Sequence, residues 1–194
     1  NDTSACVNKV QAQAFNKIWY GPTSDGSVPD PASDNGWTSP PSGKHLWYGM
    51  ARGTSLWNAY FTQLFHTPSG VANPGGAFLI GTDQIALLAG DPSLTEVGFS
   101  NALAEPQSKW RDLSYAELAA LFAKAEEMNA SAYAGIDTDD PDLAPFNASG
   151  GKILVWHGVN DEVIPIQGTS QYYDSVVEKM GGLETKDTGG RPSF

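Results

Sequence analysis

The chain has 194 residues, with 11 Lys plus Arg against 22 Asp plus Glu and a formal net charge of −11. A chain this acidic repels phosphate backbones and anionic lipid, which argues against nucleic acid and a membrane surface as partners. No run of about 18 apolar residues offers a bilayer span, while 8 Phe, 7 Tyr and 6 Trp suffice for a real core.

The chain opens at Asn1-Asp2-Thr3 with no signal-peptide pattern, as expected of a mature or trimmed end. Cys6 is the only cysteine. It is either a buried free thiol or half of a pair whose partner lies elsewhere. Sequons at Asn1, Asn129 and Asn147 mildly favour a secreted glycoprotein.

Asn8 to Tyr20 reads as a helix, with Asn8 and Gln11 spaced as a capping box and Gly21-Pro22 as the stop. Val10, Ala14, Phe15 and Ile18 form its apolar face, expected to be core. Residues 21–45 are loop-like, rich in Gly, Pro, Ser, Asp and Asn, yet Trp37 is expected to pack on something. Residues 46–65 carry Trp47, Tyr48, Trp57, Tyr60, Phe61 and Phe65, partly at helical spacing. They are either a packed core or the wall of a pocket for a flat ring. Another Gly/Pro loop follows, then the apolar runs Phe78 to Ile80 and Ile85 to Leu88, which periodicity leaves unassigned. Asp91-Pro92 begins a turn.

The clearest helix covers 115–128. Ser114 and Glu117 make a capping box. Tyr115, Leu118, Leu121, Phe122, Ala125 and Met128 lie on one stripe, as core or domain interface, with charges opposite. Residues 135–150 hold Asp137, Asp139, Asp140 and Asp142. Their spacing lacks the Gly and Glu of an EF-hand, so a solvated loop without metal is expected.

Ile153-Leu154-Val155-Trp156 is a short apolar run suited to a strand buried on both faces, as in a parallel sheet. His157-Gly158 breaks it and a turn delivers Asp161. A helical pattern follows in Tyr172, Tyr173, Val176, Val177 and Met180. Thr169 is its expected N-cap and Gly181-Gly182 its stop. Strand, loop acid and helix make one unit of an α/β sheet, in which ligands collect at the carboxyl ends of strands. From these residues alone Asp161 is either a turn former or a catalytic acid.

The segments Asp139 to Phe146, Gly150 to Gly158, Asp161, Gly168-Thr169 and Tyr172-Tyr173, with Ala5-Cys6, Val10-Gln11 and Lys17 to Pro22, resemble the tannase and feruloyl esterase family. The resemblance implies a secreted serine esterase on an α/β-hydrolase fold with a large mixed lid domain inserted before the acid. It implies a lid over 1–149 and the C-terminal part of the catalytic domain over 150–194. It makes Asp161 the acid of a Ser-His-Asp triad whose chain order is Ser, acid, His. The substrate implied is a small phenolic ester, and the remaining partner is the rest of the hydrolase domain. The family also implies a disulfide for Cys6. It implies a calcium loop in the complete protein, of which only Asp2 would be a remnant, so no cofactor or metal is expected here. No Gly-x-Ser-x-Gly elbow or equivalent occurs, nor a Gly-x-x-His-Cys segment after the acid. His157 precedes the acid and is expected to be structural; His45 and His66 do not fit the triad order. A different α/β-hydrolase, or a non-catalytic module that kept the strand, are the competing readings.

Overall fold

A computed structural model describes residues 6–37, 40–54, 79–97, 106–161 and 164–182. Among them the chain forms α1 (Lys9–Tyr20), α2 (Leu79–Ala89), α3 (Tyr115–Asn129), α4 (Ala144–Ala148) and α5 (Ile166–Lys179), with 3-10 turns at Pro92–Leu94 and Lys109–Asp112.

α1 begins where its capping box dictates. The Asn8 side chain accepts from the Gln11 N–H at 2.9 Å, and Gln11 Oε1 accepts from the Asn8 N–H at 2.9 Å. Gly21 ends it at φ 106°, a conformation that a Cβ penalises. The apolar face expected as core is largely exposed: Val10 is 73% open to solvent. What the helix buries is its last turn. The Tyr20 ring lies tilted against His45 at 4.2 Å, and its hydroxyl donates to the Asp34 carboxylate at 2.9 Å. Burial, then Asp34, raises the pKa of that phenol. Trp37, expected to pack, is 42% exposed.

The two unassigned apolar runs reach into α2, which buries Ala86 and Leu88. α2 packs against the Pro92–Leu94 turn and α3. The turn expected at Asp91-Pro92 is a 3-10 turn capped by the Asp91 side chain. α3 has both arms of its capping box. Its stripe is half-buried rather than buried, with Tyr115 50% exposed. In the acidic loop, Asp140 and Asp142 accept backbone N–H bonds from Asp142 and Ala144. Those carboxylates serve the turn.

Two expectations near the C-terminus are corrected. Ile153 to Trp156 forms no strand: the one bridge among the described residues is the antiparallel pair Thr23–His45. The four side chains are 52%, 89%, 43% and 86% exposed. A doubly buried strand needs neighbours for its N–H and C=O groups and cover for both faces, and the described residues supply neither. The α/β class expected of the sequence is therefore not displayed, and the described architecture is helical. Thr169 is not an N-cap. α5 begins at Ile166 behind Pro165, whose fixed φ suits a helix entry, and the Thr169 hydroxyl is bonded to His157. Cys6 is a free, exposed cysteine. Among the described residues no helix is long and apolar enough to cross a membrane.

Candidate functional site

The loop after the apolar run is held from within. The Asp161 N–H donates to the Gly158 carbonyl at 3.1 Å, and Asp161 Oδ1 accepts from the Ile164 N–H at 2.8 Å. Both nitrogens of His157 are engaged, Nδ1 with Thr169 Oγ1 at 2.8 Å and Nε2 with the Ile164 carbonyl at 3.0 Å. A carbonyl only accepts, so Nε2 carries a proton. His157 therefore ties the loop to α5. Asp161 is half-buried at this loop's centre; its neighbour Glu162 lies outside the described residues, as does His66. His45 is buried, with Nε2 on the Tyr20 carbonyl at 2.8 Å.

Beside the loop lies a cavity of about 510 Å³, lined among others by Lys17, Val28, Trp47, Tyr48, Tyr115 and Pro165. Its wall, Trp47 to Met50, is pressed onto the end of α1. A Cβ on Gly49 would stand 2.5 Å from the Ile18 carbonyl oxygen, and one on Gly21 2.2 Å from that of Trp47. The Met50 N–H donates to Ile18 and the Leu46 N–H to Pro22 at 3.0 and 2.9 Å. Trp47 and Tyr48 meet edge-on at 5.4 Å. Burial raises the pKa of the Tyr48 phenol. Lys17 Nζ donates to Tyr115 Oη at 3.1 Å and stands 5.1 Å from that ring's centre. The cavity thus combines flat apolar walls with one ammonium and phenolic hydroxyls, a combination that suits an aromatic group bearing oxygen.

Of the aromatic stretch 46–65, the structure brings Trp47 and Tyr48 to this cavity. Trp57, Tyr60, Phe61 and Phe65 lie outside the described residues. Sequence reasoning missed Lys17 and Tyr115, which are 98 residues apart and meet only through the fold. It also missed Gln167, buried at the start of α5 and bonded to the Gly49 carbonyl. Among the described residues no group of three His, Cys, Asp or Glu side chains is placed to hold a metal ion.

Residues 1–188 match the family described as tannase and feruloyl esterase, and the chain belongs to that family. It is similar to a probable feruloyl esterase B-2 of Aspergillus terreus, 48% identical over 46 residues, 24% of this chain and 9% of the relative. It is similar to a tannase of Aspergillus oryzae, 40% identical over 52 residues, 27% of this chain and 9% of the relative. An uncharacterized esterase of Xanthomonas campestris pv. campestris is 24% identical over 186 residues, 92% of this chain and 26% of the relative. The matched part thus spans 9% to 26% of these relatives. No solved structure matches the chain.

Proposed function

We propose that this chain is part of a carboxylic ester hydrolase for phenolic esters of the feruloyl or galloyl type, and that Asp161 is the acid of its Ser-His-Asp triad. Residues 1–149 act as the lid, and 150–194 as the acid-bearing end of an α/β-hydrolase domain. The observation that carries the reading is the juxtaposition of the Asp161 loop with an aromatic-lined cavity, through Pro165. Membership of the family, and relatives named as tannase and feruloyl esterases, support the reaction class.

The reaction runs by serine attack on the ester carbonyl, release of the alcohol, and hydrolysis of the acyl-enzyme. Asp161 accepts the Nδ1–H of the base histidine, holds its tautomer and stabilises the imidazolium that forms. The serine and that histidine belong to the remainder of the hydrolase domain. Trp47 and Tyr48 give the flat ring an apolar wall, and Lys17 with Tyr115 meets its oxygens. Secretion is part of the same reading, which assigns no cofactor to this chain.

The test is a pair of substitutions in the complete protein, with methyl ferulate and methyl gallate as substrates. Asp161→Asn keeps the shape but favours the wrong tautomer, so turnover should fall by up to about four orders of magnitude. Glu162→Gln should cost far less. If Glu162→Gln inactivates and Asp161→Asn does not, the assignment is wrong.

A further inference from the structure

Gln167 is the second residue of α5 and is 4% exposed. Its Nε2 donates to the Gly49 carbonyl at 3.2 Å, across 118 residues of chain, while its Oε1 is buried without a partner. A buried amide with an orphaned oxygen is costly. An apolar side chain of the same size would fill the space without that cost, so the single bond it makes calls for an explanation. The next residue rests on the same wall: a Cβ on Gly168 would stand 3.9 Å from Trp47 and Tyr48.

The bond joins two structures already described. On one side is the cavity wall, pinned to α1 by the Leu46 and Met50 N–H bonds. On the other is the acid loop, tied to α5 by Thr169–His157 and closed by His157–Ile164 and Ile164–Asp161. We propose that Gln167 is a positioning residue that locks this loop against the cavity wall, giving the Asp161 carboxylate a fixed place relative to the ring bound there. The inference rests on the reading of Asp161 as the triad acid. Without the bond the wall keeps its own anchors, and the part free to shift is the start of α5 with its loop. The loss then falls on turnover rather than on binding.

The test is Gln167→Met in the complete protein, which keeps the length and removes both the donor and the orphaned oxygen. Gln167→Asn, too short to reach Gly49, takes its place should the first not fold. With methyl ferulate, kcat should fall about tenfold or more while KM stays within about twofold, since small misplacements of a reacting group are costly. Exchange of the Ile164 amide hydrogen should accelerate, because its acceptor, Asp161, is no longer held. If Asp161→Asn inactivates but the Gln167 variant keeps kcat within about twofold, the inference falls and the acid assignment stands. Unchanged Ile164 exchange overturns the lock itself. Full turnover in Asp161→Asn overturns both the acid assignment and the inference built on it.

Discussion

Glu96 is 1% exposed inside a chain of net charge −11. Its carboxylate accepts from Ser108 Oγ at 2.9 Å, from Trp110 Nε1, and from Arg111 at 3.2 and 3.3 Å. Nothing in Leu94-Thr95-Glu96-Val97 marks that carboxylate as buried, because its donors come from residues 12 to 15 positions later. The expectation placed on Asp161 rests instead on a local signal: an apolar run, a His-Gly break and a turn. Gln167 and the Lys17–Tyr115 pair were hidden in the same way as Glu96. Asp25 and Lys44 also bond, and the Lys44 bond holds the Asp25 carboxyl well below its usual range. That pair is exposed, so water and salt screen it. Glu96→Ala should cost about 3 kcal/mol, the scale of breaking a buried charge network, and Lys44→Ala should barely move the urea midpoint. Equal midpoints for the two variants would refute the ranking.

At the scale of elements, helix starts are legible where the signal is a side chain bonding its own backbone three residues on. Asn8 with Gln11 and Ser114 with Glu117 are both formed as the spacing requires. The start of α5 is not legible in this way: Thr169 fits a cap by type, whereas its hydroxyl is bonded to His157, and Pro165 sets the entry instead. Faces were read less well than ends. Periodicity shows which side of α1 is apolar, but not that its first turns stay exposed. The α3 box gives a prediction with a definite sign. Bonds from the Ser114 backbone and hydroxyl lower the Glu117 pKa below its ordinary 4.5. A lowered folded-state pKa contributes stability that is fully present above the unfolded value and is lost as pH falls through the folded one. Ser114→Ala should therefore lower the melting temperature at pH 7, and the gap from wild type should narrow below about pH 4. A gap that stays constant from pH 7 to pH 3 would show that the charge on Glu117 takes no part.

For the molecule as a whole, the run Ile153 to Trp156 poses the sharpest question. Its β-branched and aromatic residues ask for burial on both faces, and they stand 43% to 89% exposed. Secondary structure of this kind is legible in sequence only as a demand. Meeting it takes strands from elsewhere, and sequence periodicity does not say where they are. If the run belongs to the hydrolase sheet of the complete protein, its side chains are solvent-facing in this chain alone and core residues in the whole. The same substitutions then act oppositely in the two settings. Leu154→Lys with Trp156→Lys breaks an exposed apolar, β-prone segment, so the isolated chain should self-associate less and keep its melting temperature. In the complete protein the two changes bury charge in a sheet and should cost upwards of about 4 kcal/mol or abolish folding. Sedimentation and thermal melts of both forms decide it. A pair of variants that melts like wild type in the complete protein would mean that the run stays in solvent and that 150–194 is no part of a sheet.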